Sequence, residues 1–490
     1  MEQKCAVIGS GVAGIASAIR LKEKGYDVDV FEKEKGPGGK ISQLSCGGFR
    51  FDTGPSLFTM PALVTELFTL AGRDAEKSFS YRALDKSCRY FWEDGTDITA
   101  WQDKKRFAGE VSEKTASPEE RISAFLDKSR RLYDLTKDVF LFNSLHKKSN
   151  YLSAPYLRTL LHIHELDAFT TMHRRNSKWF DSGKIVQMFD RYATYNGSNP
   201  YRTPATLNII PHLEHNMGVF FPERGMYQIV SSLYRLALDM GVRFHFSSSA
   251  ERIIIEGKKA AALRVNGVNE SFDIIVSDID IVNLYGELLP GTRIPGRQLS
   301  MERSSSAMIF YWGVKGDYPL LELHNILFST DYRNEFDMLF RKKLISEDPT
   351  VYVFISSKEV KGDAPAGAEN WYVMVNAPED TGQDWEAIRA ECRRNILSKI
   401  KRVLGKDIEK SIISENYMGP QEIGKKTGSF RGSLYGPSSN SRFSAFYRHP
   451  NFSGSIKNLY FTGGSVHPGG GIPLCLASAK IIDKEIPRIN

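Results

Sequence analysis

Residues 4–32 read KCAVI (4–8), GSGVAG (9–14), IASAIRLKEK (15–24), Gly25, Tyr26, DVDVF (27–31) and Glu32, and they decide the fold. KCAVI is a short apolar run with β-branched members, the pattern of a buried strand. It runs directly into G-x-G-x-x-G at Gly9, Gly11 and Gly14. An amphipathic stretch follows and stops at Gly25, a fitting helix C-cap. DVDVF then predicts a second strand, ending in the acid Glu32. In such a unit the glycines give a tight turn, close approach of backbone to a pyrophosphate and close helix–strand packing. The helix N-terminus adds free N–H groups and partial positive charge. Glu32 lies 18 residues beyond Gly14, where a carboxylate accepts from ribose hydroxyls and disfavours a 2′-phosphate. Strand, turn, helix, strand and acid in this order form a strong dinucleotide signal, although G-x-G-x-x-G alone is weak.

Two further glycine clusters extend the site. Pro37-Gly38-Gly39-Lys40 follows the acid, and Asp52-Thr53-Gly54-Pro55-Ser56-Leu57 comes soon after. A nicotinamide domain would proceed here to its next crossover helix. Additional turns with bare backbone suit a longer ligand lying past its pyrophosphate, which favours a flavin. Far along the chain, Leu459-Tyr460-Phe461 predicts a strand ending at Thr462-Gly463-Gly464. His467-Pro468-Gly469-Gly470-Gly471-Ile472-Pro473 then opens a helical stretch, Leu476 to Ile482. If this segment returns to the opening sheet, its helix N-terminus faces the far end of the dinucleotide and suits the N1/C2-carbonyl edge of a reduced isoalloxazine.

Composition narrows the classes. In 490 residues there are 65 Lys+Arg against 58 Asp+Glu, a net of +7, too slight an excess to suggest a nucleic-acid binder. Hydrophobic residues make up 41 %, including 29 Phe and 21 Tyr, which excludes a disordered chain. Five scattered cysteines with no Cys-x-x-Cys argue for a reducing compartment rather than a disulfide framework or zinc ribbon. A strand so close to residue 1 leaves no room for a signal peptide. No stretch approaches the ~18 apolar residues of a spanning helix. The expectation is a cytoplasmic protein that lies peripherally on a membrane.

Taken together, GSGVAG with Glu32, PGGK (37–40), DTGPS (52–56) and TGGSVHPGGGIP (462–473) resemble the FAD-dependent carotenoid desaturases of the bacterial phytoene-desaturase type. RYATYNGSNPY (191–201) and FPERGM (221–226) support this, and GPSLFTMP (54–61) with YGPSSNSRF (435–443) is most similar to the hydroxycarotenoid 3,4-desaturase branch. The resemblance covers the whole chain and implies an α/β fold. In that fold an FAD-binding Rossmann-like domain of the amine-oxidase type joins an α+β substrate domain. It divides the chain into FAD-binding segments 1–84, 216–284 and 445–490, and substrate segments 85–215 (membrane-facing) and 285–444. Tyr227 to Met240 is expected as a helix, with strands near 243–246, 253–256 and 272–276.

The cofactor-binding residues implied are Gly9, Gly11, Val12, Ala13, Gly14, Glu32, Lys33, Gly39, Lys40, Gly54, Pro55, Ser56, Leu57, Ala250, Gly463, Gly464, His467, Gly471, Ile472 and Pro473. Ala250 stands where the family often has a larger apolar residue. His467 is placed by resemblance near the isoalloxazine; the alternative is a turn histidine bonding backbone. His162, His164, His212 and His215 lack the spacing of a metal site, and none is expected.

The chemistry implied is desaturation. A hydride leaves an allylic carbon for flavin N5, the polyene spreads the developing positive charge, and the neighbouring carbon loses a proton. The cofactor does the hard chemistry, so the catalytic residues stay unassigned. A rod-shaped carotenoid needs a long apolar tunnel, which Phe and Tyr line well, with its mouth towards a bilayer. Residues 121–148 carry an apolar stripe (Ile122, Phe125, Leu126, Leu132, Tyr133, Val139, Phe140) and basic residues, and fit either a membrane-surface helix or an inward-packed one. The electron acceptor is open: oxygen or quinone, with nicotinamide a third choice. Alternatives are a phytoene desaturase, a flavin amine oxidase, a carotenoid isomerase and, outside catalysis, a prenyl-group escort protein.

Overall fold

The computed structural model describes residues 3–292 and 295–489. Its organising element is a five-stranded, all-parallel sheet in the order Leu459–Phe461, Ile274–Ser277, Lys4–Ile8, Asp27–Phe31, Arg243–His245. Cys5 to Ile8 and Val28 to Phe31 are buried along their length, as expected when helices cover both faces of a parallel sheet. The opening helix, Val12–Glu23, packs against the closing helix, Ile472–Glu485, and against Tyr227–Asp239. Ala13, Ala16 and Ala18 on it are buried and let those neighbours approach closely.

The expected helix at 227–240 forms as Tyr227–Asp239, and the expected strands form as Arg243–His245, Ala250–Glu256 and Ile274–Ser277. Ala250–Glu256 does not join the parallel sheet. It pairs with Lys259–Val265 and Val268–Ser271 in a separate antiparallel layer.

A second large sheet has seven strands, ordered Ile412–Met418, Ser306–Lys315, Ala368–Ala377, Val351–Phe354, His324–Leu327, Lys86–Phe91, Asp97–Trp101. Its neighbours are antiparallel except for His324–Leu327 against Lys86–Phe91. Helices from 104 to 209 cover one side of the Lys86–Trp101 hairpin. One apolar core runs from the parallel sheet (Val7, Val30) through Phe51 to Tyr311, Tyr372 and Phe354 of the seven-stranded sheet. The two sheets thus share a core, and the glycine turns lie where they meet.

The stripe on residues 119–136 packs inward: Ile122, Phe125, Leu126, Leu132 and Tyr133 are all buried. The apolar surface emerges later, at Leu152, Leu157, Leu160, Leu161, Ile163 and Phe169. Leu152, Leu161 and Phe169 are 83 %, 77 % and 76 % exposed. Among the described residues no helix is long and apolar enough to cross a membrane.

Candidate functional site

In a parallel sheet, ligands collect beyond the carboxyl ends of the strands. The opening strand ends at Gly9, the second at Glu32, and the closing strand at Thr462-Gly463. These ends lie side by side because Ser277 pairs with both Ile8 and Phe461, and Ile8 with Phe31. The two glycine-rich ends, some 450 residues apart in the chain, therefore face one cleft.

Glu32 is fixed by three donors. Its Oε2 accepts from the Ser10 N–H and Oγ–H at 2.8 Å each, and its Oε1 from the Glu34 N–H at 2.9 Å. Backbone of Glu32 and Glu34 also receives the N–H groups of Ser248 and Ser247, which brings Ala250's segment beside the acid. The Pro37–Lys40 turn lies on the first glycine loop through a bridge between Gly11 and Gly38, with the Gly38 N–H on the Ser10 carbonyl at 3.0 Å. Gly54 has φ +111°, and a Cβ there would overlap the Lys40 carbonyl, so only glycine lets the third turn seat on the second. Pro55, Ser56 and Leu57 follow, all part-exposed.

The C-terminal turn closes the other side. Gly463 (φ +94°) donates its N–H to Ser478 Oγ at 2.9 Å. Buried Arg448 clamps the turn to the 435–443 segment: its guanidinium donates to the carbonyls of Tyr435 and Gly464 at 3.1 Å and of Pro437 at 2.7 Å. That segment also holds RYATYNGSNPY, since Asn196 donates to Ser439 Oγ at 2.6 Å and the Asn199 N–H to Asn440 Oδ1 at 2.7 Å. His467 is buried, and its Nε2 donates to the Asn143 carbonyl at 2.9 Å. Burial lowers its pKa to about 3, so the ring is neutral and bonds backbone. Gly471, Ile472 and Pro473 open the closing helix. Lys33 points away, its Nζ on the Lys425 carbonyl at 2.9 Å.

The charge pattern suits an anionic ligand. Arg303 lies within electrostatic reach of both Lys40 and Arg448. Arg303 pairs with Asp280 at 2.5 Å, and burial depresses the pKa of both Lys40 and Arg448. Beyond the cleft, Ser56 Oγ and the Tyr352 hydroxyl are 2.6 Å apart, and Tyr352 is 2.7 Å from His324 Nδ1. Tyr311, Tyr352, Phe354 and Tyr372 form one aromatic face of the seven-stranded sheet, with ring centroids 5.6–6.3 Å apart. The structure thus fits an extended dinucleotide: bare backbone at three turns, a fixed acid for ribose, a helix N-terminus at each end, and cationic walls. Two surface clefts, of about 620 and 480 Å³ and lined mainly by charged and polar residues, lie away from these turns.

Sequence reasoning missed Arg448, Arg303 and Asp278. The first two carry no motif. Asp278 had a signal, because it lies two residues beyond the predicted strand end at Val276, where ligands of such sheets bind. The histidines and cysteines form no cluster of three or more metal-ligating groups among the described residues.

Comparison with known proteins agrees with this geometry. The family of flavin-containing amine oxidoreductases matches residues 12–481. The chain is 47 % identical over 488 residues to a 1-hydroxycarotenoid 3,4-desaturase of Flavobacterium sp. (strain P99-3), covering all of both chains. It is 30 % identical to a zeta-carotene-forming phytoene desaturase of Myxococcus xanthus, over 99 % of this chain and 94 % of that one. Among solved structures, a putrescine oxidase variant superposes with a TM-score of 0.64 at 12 % identity, over 99 % of this chain and 98 % of the other.

Proposed function

We propose that this chain, which belongs to the flavin-containing amine oxidoreductase family, is an FAD-dependent desaturase that dehydrogenates a 1-hydroxylated carotenoid at its 3,4 bond. The observation that carries this reading is the 47 % identity to a protein of that activity across both full chains. When bound, FAD supplies the hydride acceptor.

The chain's own residues do the rest. Backbone at Gly9–Gly14, Gly39, Gly54 and Gly463–Gly464 admits the cofactor closely, while Glu32 meets ribose, Lys40 balances phosphate charge and Arg448 holds the C-terminal turn in place. The aromatic face of Tyr311, Tyr352, Phe354 and Tyr372 lies next to Ser56 and so next to the cleft. It supplies a rigid, apolar wall for a polyene and keeps water from the reacting bond. Burial raises the pKa of Tyr352 and Tyr372, so the wall stays uncharged. One C–H would leave as hydride to bound flavin, the neighbouring carbon would lose its proton to a weak base, and the electron pair left behind forms the C=C bond. The side chains named here contribute by positioning that bond.

The same proposal puts the protein on the cytoplasmic surface of a membrane. Leu152, Leu157, Leu160, Leu161, Ile163 and Phe169 form an exposed apolar patch, with Lys148, Arg158, Arg174 and Lys178 exposed in the same stretch. Apolar residues that enter the acyl boundary, beside bases that meet anionic headgroups, match an interfacial anchor. Reoxidation of the flavin is assigned to oxygen or a quinone.

The test offers acyclic, monocyclic and 1-hydroxylated carotenoids, in liposomes, to protein loaded with FAD. A red shift of the polyene spectrum is expected with the 1-hydroxylated substrate. No shift with any carotenoid, with hydrogen peroxide released from an amine, would overturn the reading.

A further inference from the structure

The strand Ile274–Ser277 is flanked on one side by the opening strand and on the other by the closing strand. Whatever residue follows it therefore projects between both glycine turns. That residue is Asp278. Its N–H donates to the Ile8 carbonyl at 2.8 Å, and its Oδ2 accepts from the N–H of Gly14, in the first turn of the opening helix, at 2.9 Å. A Cβ on Gly11 would lie 2.5 Å from Oδ2, and one on Gly463 would overlap Oδ1. Two separate glycine turns thus keep clear of one carboxyl group, at the point where the dinucleotide's own negative charge must lie.

An ionised carboxylate there would oppose a pyrophosphate. The groups facing Asp278 do not relieve this. Glu32, from the second strand, repels the ionised form; Lys40, from the Pro37–Lys40 turn, attracts it but is the cation the phosphates need; Cys475, on the closing helix, has its thiol pushed up to about 12. Asp280, beyond Asp278 on the same segment, is already paired with Arg303.

We propose that Asp278 is a further cofactor-contacting residue and that it serves as a neutral acid, donating a hydrogen bond to the dinucleotide. The proposal rests on the reading that this cleft holds FAD. Burial raises the Asp278 pKa to about 7 against the opposing pulls of Gly14 and Lys40, so the neutral form is within reach of ordinary pH. FAD uptake is then coupled to retention of one proton.

The experiment titrates apoprotein with FAD, following flavin fluorescence, from pH 6 to 8.5, for the wild type and D278N. The wild type should weaken roughly thirtyfold over that span, by linkage to one proton. D278N, which donates without titrating, should bind at least as tightly as the wild type at pH 6 and show a much flatter profile; its residual slope is Lys40's share. Calorimetry of the wild type in two buffers of different ionisation enthalpy gives a readout independent of any variant, with net proton uptake on binding above pH 7. The proposal is overturned if D278N binds more than tenfold weaker than the wild type at pH 6, or if wild-type affinity is flat and no proton is taken up. A wild type that binds no FAD at any pH overturns the flavin reading itself; FAD bound at every pH without linkage overturns only the role of Asp278.

Discussion

Gly436 offers a sharp test of how the far end of the cofactor cleft is built. It lies in the 435–443 segment with φ +68°, and a Cβ there would stand 2.7 Å from Ser465 Cα, 3.1 Å from the Gly464 carbonyl and 3.1 Å from Ser465 Cβ. Two costs add in Gly436→Ala. The left-handed backbone costs a side-chain-bearing residue about 1–2 kcal/mol. Carbon–carbon contact needs about 3.7 Å, so the two turns must part by about 1 Å, a strain on the order of 1–3 kcal/mol for an overpacked interior. The obstacle is backbone, and Arg448 clamps both turns, so rotamer changes give no relief. The sum is about 2–5 kcal/mol, a drop of roughly 2–5 °C in Tm for a chain of 490 residues at ~2.1 cal/mol/K of unfolding entropy per residue. Because the Gly464 turn moves with it, flavin content should fall further than stability alone explains. Gly454 is the control: it is exposed, its φ is not in the left-handed region, and nothing lies within 4 Å of its added Cβ. Gly454→Ala should leave Tm unchanged or raise it slightly. Scanning calorimetry and the flavin-to-protein absorbance ratio read both effects. A G436A protein with full flavin and a Tm within a degree of the wild type would refute the reasoning.

Other outcomes follow from buried charge and the exposed patch. Arg191 and Glu214 are buried 3.8 Å apart, with Tyr195 donating to Glu214 at 2.7 Å and Ser87 at 2.9 Å; removing one partner, as in Glu214→Ala, should cost ~3–5 kcal/mol in urea unfolding. The same pair gives a pH effect. The Glu214 pKa is lowered in the fold, against the desolvation that raises it, by Arg191 and His215, so its stabilisation is full above the usual glutamate range and is lost on acidification. Asp278 runs the other way. Its raised pKa means that wild-type apoprotein should lose stability relative to D278N as pH rises from about 4 to about 7, measured by chemical denaturation at each pH. Replacing Leu160 and Leu161 by Asp should abolish sedimentation with anionic liposomes while Tm stays put, because both side chains are exposed; loss of Tm instead would mean the patch is packed in solution.

Legibility in the sequence followed the range of the interactions. The opening strand, loop and helix are set by contacts a few residues apart, and periodicity and glycine placement predicted Lys4–Ile8 and Asp27–Phe31 to the residue. The Leu459–Phe461 strand and the helix after Gly471 were readable for the same reason. Long-range pairing was not. His324–Leu327 aligns with Lys86–Phe91 across some 230 residues, and nothing local encodes that register. Periodicity also cannot say which way an apolar stripe faces. The one on 119–136 turned inward, while the exposed apolar surface came from a later segment, Leu152 to Phe169. At the site, glycines announced themselves because backbone shape needs them. Asp278 and Arg448 did not, since an isolated Asp or Arg gains its role only when distant strand ends meet.

The decisive measurement is anaerobic mixing of the FAD-loaded protein with a 1-hydroxylated carotenoid in liposomes. The account predicts that the flavin's visible absorbance bleaches in step with a red shift of the polyene, one flavin per new double bond. A flavin that stays oxidised with that carotenoid but bleaches with putrescine or another amine would contradict it.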